Sequence, residues 1–402
     1  MSLRQIRGGV TAPRGFAAAA TRAGVRSAPG DDLAVVLSER GPVPAAAMFT
    51  TNRLVAAPVI LSKRALRSSG GRAAAIVANA GCANAGTGRD GLTDAAAVRR
   101  AVARRLGLPD RHVLVASTGL IGSRLPVDRI TAALPGLDPS PSARAGSDAA
   151  RAIMTTDTRP KQAAAELDIG GRSIRIGGMA KGAGMIHPQM ATMLAFLTTD
   201  APVEPDGLRA ALRRVVTRTF NQVSVDADPS TNDSVFLLAS GAAGGRALTA
   251  SPLAAFEEGL EMVCRSLAMQ IAADGEGARH RIDVHVTGAR TDAEARMAAR
   301  AVASSNLVKS AVHGGDPNWG RIASAAGRSG ARLDPERLRV RIGPIAVYDA
   351  APIAFDERAA SRRLRGKVVE IGLELGLGDG RGEAWGCDLS AEYVAINSEY
   401  RT

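Results

Sequence analysis

Short apolar runs that end in glycine turns, with helix-spaced segments between them, constrain the fold of this chain more than any other feature. "RAAAIVANAG" (72–81) and "HVLVASTGLIG" (112–122) read as buried strands running into turns. Between them, "TDAAAVRRAVARRLGLP" predicts a helix capped by Thr93, closed by Gly107 and stopped by Pro109. "SPLAAFEEGLEMVCRSLAMQIAADG" is the clearest helix, with Ser251 as cap and Pro252 in the first turn. Its Leu253, Phe256, Leu260, Val263 and Leu267 recur at three- and four-residue steps, which makes one apolar face. "TDAEARMAARAVASSN" opens with a capping box, Thr291 with Glu294. Further strands are expected at "DSVFLLAS", "IDVHVTG", "RLRVRIGPIAVYD", "KVVEIGLELG" and "SAEYVAIN", the last alternating as a half-buried strand should. Strands crowd the last third while the middle mixes both types, without internal repeats. That distribution favours α+β layers over a doubly wound parallel sheet.

Composition excludes several classes. With 402 residues, 46% of them hydrophobic and 22% charged, the chain is long enough for one large or two ordinary domains with substantial cores. No run approaches the roughly 18 apolar residues of a membrane helix. The basic N-terminus "MSLRQIRGGVTAPRGFAAAATRAGVR" has Arg14 and Arg22 too close together to hold a signal peptide's apolar core, so it is expected to belong to the mature fold. A net charge of +12 invites a nucleic-acid reading, but the arginines are scattered, aromatics make up 3%, and no DNA- or RNA-binding signature appears. An arginine-rich solvated surface accounts for the charge. Cys82, Cys264 and Cys387 are odd in number and far apart, which fits a reducing cytoplasm and neither a disulfide framework nor a zinc site.

Among the glycine-rich segments, "KGAG" (181–184) lacks the order of a P-loop, and "ANAGCANAGTG" (78–88) contains no G-x-G-x-x-G. The latter reads as a tight loop in which Asn79 and Asn84 tolerate left-handed backbone. "HGGDPNWGR" (313–321) is a turn cluster with Asp316, Asn318 and Arg321 as polar contacts and Trp319 as packing anchor. The five histidines show no metal spacing, and there is no G-x-S-x-G elbow. An acyl-transfer enzyme built from this chain would therefore need a nucleophile that carries its own base.

"KGAGMIHPQMATMLAFLTTDA" (181–201) sets Thr192 in an apolar run directly after the small Ala191. A threonine there is ordinarily a core residue whose hydroxyl bonds a nearby carbonyl. An N-terminal threonine has another use, because its free α-amine can take the proton from its own hydroxyl during attack. A peptide nitrogen cannot, since its lone pair is delocalised. Cleavage at Ala191-Thr192 would have to come first, by attack of the same hydroxyl on the Ala191 carbonyl and hydrolysis of the resulting ester.

The run "AKGAGMIHPQMATMLAFLTTDA" resembles the cleavage and nucleophile segment of the ornithine acetyltransferase family, also called the glutamate N-acetyltransferase family, of arginine biosynthesis. "GGVTAPRGFAA", "MFTTNRLVAAPV", "ANAGCANAGTG", "VLVASTGLIG", "AIMTTDTRPK", "VDADPSTNDSV", "ADGEGA", "HGGDPNWGRI" and "YVAINSEYRT" extend the likeness along almost the whole chain in family order. The resemblance implies a layered α/β sandwich of the self-processing type with a smaller C-terminal α/β domain. Residues 1–191 would become an α chain and 192–402 a β chain, of which about 285–402 forms the smaller domain. The two chains would pair as a heterotetramer of two α and two β. It implies that Thr192 takes acetyl from N-acetylornithine, releases ornithine and passes the acetyl group to glutamate, a ping-pong scheme. Thr118 and Gly119 would form the oxyanion hole, and Thr155, Lys181, Thr192, Glu276, Asn397 and Thr402 would contact substrate. Lys181 would meet a carboxylate and Glu276 an ammonium. No cofactor or metal is implied; acetyl-CoA is a candidate co-substrate. Neither nucleic acid nor membrane is an expected partner. Cys82 and Pro229 depart from the family pattern and bear on acceptor preference. The alternatives are a self-processing amidase or aminopeptidase-type hydrolase, and a secondary-metabolism relative with a changed acceptor.

Overall fold

The structure, a computed structural model, describes residues 2–187 and 193–399. Two sheets stack face to face. The larger runs, in spatial order, Leu3–Ile6, Lys161–Ile169, Arg172–Lys181, Leu194–Thr199, Ser234–Ala239, Val43–Phe49 and Arg72–Ala73. The smaller runs Phe16–Thr21, Leu33–Ser38, Ala75–Cys82 and Val113–Leu120.

Period-two alternation explains the stacking. Leu194, Phe196, Phe236 and Leu238 of the larger sheet meet Ala34, Val36, Ile76, Ala78, Leu114 and Ala116 of the smaller in one core. The intervening Ala195, Leu197, Val235 and Leu237 face outward, onto the helices Pro205–Arg218 and Ala250–Ala272. Val35, Val77 and Val115 likewise face out of the smaller sheet toward the helices Ala57–Ser68 and Gly88–Leu106. The result is a helix–sheet–sheet–helix sandwich. Strands covered on both faces carry near-continuous apolar sequence, which is why "RAAAIVANAG" and "DSVFLLAS" show no polar alternation.

A third sheet runs Val223–Ser224, Gly380–Cys387, Arg281–Ala289, Val368–Glu374, Arg339–Ile342, Ile345–Asp349 and Ala351–Pro352. Val369, Ile371 and Leu373 enter its core together with Ala295, Ala298 and Val302 of the helix Asp292–Ala303, while Glu370 and Glu374 stay outside. The α+β layered architecture expected from the sequence is the one found.

Four local expectations change. The helix 88–106 begins earlier than expected: Thr87 is its N-cap and Thr93 lies inside it, its hydroxyl bonded back to the Arg89 carbonyl at 3.2 Å. The long helix is capped by Thr249, with Ser251 and Pro252 in the first turn. "HGGDPNWGR" is the end of one helix and the start of another: Asn318 caps Trp319–Gly327 by accepting from the Arg321 N–H, and Trp319 stacks on Tyr348 at 4.7 Å between ring centroids. "SAEYVAIN" is a helix, Ala391–Glu399, and not a strand. Its signal was Ser390, whose Oγ accepts from the Tyr393 N–H in the N-cap pattern. None of the side chains of this helix is fully buried, so the apolar alternation had no sheet face to serve.

Candidate active site

Three chain segments meet on one line across the larger sheet. Lys181, the last residue of its strand, pairs with Leu194, the first of the next, and Leu194 pairs with Ser234, the first of the strand beyond. Just before Ser234, the Asp233 Oδ1 accepts from the Met193 N–H at 2.9 Å. The neighbouring Asn232 reaches the other sheet: its Nδ2 donates to Ala83 O at 2.6 Å and to Ser117 O at 2.9 Å. Thr118 and Gly119 follow Ser117 directly. The ends of both sheets are thus stitched together where the chain approaches and leaves residues 188–192.

Thr118 is buried at the end of the strand Val113–Leu120. Gly119 has φ 125°, and a Cβ there would lie 2.3 Å from the Gly81 carbonyl carbon, so only glycine fits. Because 78–82 continue the strand Ala75–Cys82, the loop expected over 78–88 is confined to 83–87, where Asn84 is left-handed at φ 50°. Its side chain bonds the Gly91 carbonyl and the Thr87 hydroxyl. Asn79 sits within the strand Ala75–Cys82, where it donates to Cys82 O and accepts from Ser117 Oγ.

Lys181 is 3% exposed. Its ammonium donates to Thr155 Oγ1 at 2.7 Å and lies 3.7 Å from Asp157 Oδ2. Burial lowers its pKa against the opposing pull of Asp157, Glu276 and Asp233, with Lys161 adding to the lowering. Asp157 also bonds Lys161 at 2.6 Å, and Lys161 bonds Asp274 at 2.5 Å, so four charges alternate in sign through the interior. Burial alone would raise the Asp157 pKa, but the two ammoniums and the Gly182 N–H outweigh it and hold the carboxyl at about 2.

Glu276 approaches from beyond the helix Ala250–Ala272. Its N–H donates to Ala183 O at 2.9 Å, and its Oε2 accepts from Asn397 Nδ2 at 2.8 Å. A Cβ on Gly184 would come within 2.4 Å of that oxygen, which accounts for the second glycine of "KGAG". The Lys181–Thr155 and Asn397–Glu276 bonds, with the Glu276 charge acting on Lys181, bring Thr155, Lys181, Glu276 and Asn397 together. Thr118 and Gly119 follow Ser117, whose carbonyl Asn232 holds, and have no direct bond to this group among the described residues. Ala191, Thr192 and Thr402, named from the sequence, lie outside the described residues. A cavity of about 740 Å³ along the long helix includes none of these groups, whereas one of about 470 Å³ is lined by Asp274 and Glu276.

Five carboxylate and ammonium groups of the site escaped sequence reasoning: Asp157, Lys161, Asp226, Asp233 and Asp274. All five lie in segments that carry the family likeness, "AIMTTDTRPK", "VDADPSTNDSV" and "ADGEGA", which was the signal available. Asp226 accepts from the N–H groups of Met185 and Ile186 at 2.6 and 2.7 Å, fixing the chain ahead of residue 188 with Met185 left-handed at φ 53°. Burial nevertheless pushes the Asp226 carboxyl up to about 6, more than those N–H groups lower it. Asp233 is fully buried, and its Oδ2 has no hydrogen-bond partner among the described residues. Burial drives its pKa well up, opposed by the Met193 N–H and by Lys181. Burial likewise lowers the pKa of His187, whose Nδ1 lies 3.4 Å from Ser224 Oγ. Cys82 is buried with its Sγ 3.2 Å from Ser123 O, in the core under the helix Gly88–Leu106.

The sequence profile of the ArgJ family matches residues 17–402. The arginine biosynthesis bifunctional protein of Symbiobacterium thermophilum is 49% identical over 401 residues, covering 99% of both chains. That of Thermus thermophilus is 51% identical over 394 residues, covering 98% of this chain and all of its own. A crystal structure of the bifunctional protein from Bacillus halodurans superposes with a TM-score of 0.50 at 44% identity, covering 51% of this chain and 98% of that one. With the profile spanning nearly every element that builds the site, this chain belongs to the ArgJ family.

Proposed function

We propose that the chain cleaves itself between Ala191 and Thr192, and that Thr192 then carries acetyl from N-acetylornithine to glutamate, with its α-amine as base. The observation that carries this reading is the burial of Lys181 and Glu276 beside one another at the Gly182–Gly184 strap, where the Glu276 N–H holds Ala183 O and its charge acts on the Lys181 ammonium. One cation and one anion, both out of water and electrostatically coupled, suit the carboxylate and ammonium of an α-amino acid. Both substrates present an α-carboxylate to Lys181, and Glu276 suits the side-chain ammonium of the donor, whose α-nitrogen is acylated. In the acyl steps, Thr118 Oγ1 and the Gly119 N–H would stabilise the oxyanion, each such donor contributing about 2.7–4 kcal/mol. The Bacillus halodurans chain, which matches about half of this one over nearly its own full length, supports two fragments as the mature form.

A denaturing gel tests the first step: two bands summing to 41.4 kDa for the wild type and one for Thr192→Ala. Labelled N-acetylornithine tests the second. Label on glutamate, with parallel initial-rate lines, supports transfer through an acetyl-threonine; free acetate would make the protein a hydrolase. Acetyl-CoA in place of N-acetylornithine tests the second donor, and native mass a tetramer of two α and two β chains.

A further inference from the structure

We propose that the groove between the helices Ala57–Ser68 and Gly88–Leu106 binds a nucleotide phosphate, either a free nucleotide or the nucleotide end of coenzyme A. The groove encloses about 730 Å³, the size of a small-molecule site. Val55, Ile60 and Leu92 give it an apolar lining, and Leu54 stands exposed beside them. Arg53, Lys63, Arg64, Arg67 and Arg89 complete it, and among the described residues no carboxylate lines it. The other cavities are built differently. Arginines are mixed with Glu258 and Glu261 along the long helix, with Asp274 and Glu392 beside Glu276, and with Asp292 and Glu383 beside His285. The carboxylates nearest the groove in sequence are already taken: Asp90, next to Arg89, and Asp94, one turn on, both bond Arg124. None of the five cationic side chains has a hydrogen bond or ion pair among the described residues, and Lys63 lies over the Phe49 ring, 5.4 Å from its centroid.

A concave surface lined by one sign of charge concentrates its field and draws in a solute of the opposite sign. The ligand that this lining selects carries several negative charges close together on a flat, partly apolar body. Guanidinium groups bond phosphate oxygens in pairs and stack on aromatic planes, and the apolar lining takes the other face of a base. A nucleotide diphosphate has both parts. A nucleic-acid strand fits less well, because it calls for aromatic side chains along an extended basic track, and no aromatic lines this groove among the described residues. The groove also adjoins the candidate site. Ala83 N–H donates to Leu120 O at 2.9 Å and Gly122 N–H to Ala85 O at 2.8 Å, which ties the wall at Gly86–Arg89 to the segment that follows Gly119. A coenzyme A thioester seated here would be the second acyl donor. That use rests on the proposed acetyl transfer, whereas nucleotide binding does not.

Calorimetric titration of the whole protein with ADP, coenzyme A and inorganic phosphate tests the proposal. ADP and coenzyme A should bind at least about tenfold more tightly than phosphate. Arg64→Glu and Arg89→Glu, one on each helix, should each weaken both by about tenfold or more, the scale of one lost charge-assisted bond. Arg246→Glu, which makes the same charge change at an exposed position outside the groove, should leave both unchanged. Two results identify the source of the nucleotide. Coenzyme A binding more tightly than ADP, with the KM for acetyl-CoA raised in Arg64→Glu and that for N-acetylornithine unmoved, makes the coenzyme the ligand; equal binding makes it a free nucleotide. Phosphate binding as tightly as ADP overturns the proposal, as does nucleotide binding that Arg64→Glu and Arg89→Glu leave intact. Binding of anionic vesicles or single-stranded DNA with no binding of nucleotide overturns it too. So does a native mass that falls in Arg64→Glu while the wild type binds no nucleotide, since the groove would then be a contact between copies. A protein that transfers acetyl from neither donor would overturn the proposed function, while the titration still judges the groove.

Discussion

Two buried regions of this molecule are built on opposite rules. The interior of the C-terminal sheet is filled by Ile282, Val284, Val286, Val340, Val369, Ile371 and Leu373. Most charges near it stay at the surface, as in the Arg339 pairs with Asp349 and Glu374, and the buried ones are few: Asp283 held by Arg281, and Lys309 and Asp388 at one end of the sheet. At the joined ends of the other two sheets, Lys161, Lys181, Asp157, Asp233, Asp274 and Glu276 are all buried. Burying charge costs far more than burying methyl groups unless partners are well placed. The first region spends its burial on stability. The second holds charged groups at fixed positions with little water to screen them, which is what recognition of a charged small molecule requires.

The strongest way to break this contrast is Lys161→Ala. It removes the ammonium that Asp157 and Asp274 share, leaving Asp157 with Lys181 and Gly182 and Asp274 with Thr158, and urea unfolding should show a loss of about 3–5 kcal/mol. Because Asp157 also holds Lys181 and Gly182, acetyl transfer should fall in the protein that remains folded. Ile371→Ala in the C-terminal core should cost about 2–5 kcal/mol through cavity formation. Yet its kcat and KM, measured well below the melting temperature, should match the wild type. Equal catalytic damage from both would erase the distinction.

Acidity sharpens the comparison within the site itself. Asp226, raised by burial to about 6, binds its proton more tightly folded than unfolded, where its pKa is about 3.9. Stability should therefore fall as pH rises from about 4 to 6, and Asp226→Asn should flatten that slope. Asp157 has the opposite sign: held at about 2, it contributes stability above about 4 that is lost as pH falls through 2. Unfolding free energies of the two Asp→Asn variants across pH 2–7 would expose either sign as wrong. The smallest expected effect is that of Asn397→Ala. Asn397 is exposed, so water replaces its bond to Glu276, and KM should rise by no more than about tenfold with kcat unchanged.

Much of the architecture was legible along the chain. Runs such as "DSVFLLAS" and the spacing of Leu253, Phe256, Leu260, Val263 and Leu267 report burial and period, which are local properties. The α+β layering follows from them. Caps were less secure, because Thr87 and Thr93, or Thr249 and Ser251, are chemically equivalent candidates and only the start of the apolar contact separates them. The tail was misjudged for a related reason: the alternation in "SAEYVAIN" is real, but a strand needs a sheet edge and this segment meets none.

The family and the layered fold are readable along the chain, because motif order and burial period are local properties, whereas the meeting of Thr155, Lys181, Glu276 and Asn397 is a product of the fold. Only the tertiary structure decided that Asp157, Lys161, Asp233 and Asp274 are buried against them. A carboxylate in a polar turn has the same local sequence whether the turn faces water or another sheet. Its pKa, its partners and the orphaned oxygen of Asp233 depend on chain segments 40 to more than 110 residues away, and nothing in the neighbouring residues encodes which of them will arrive.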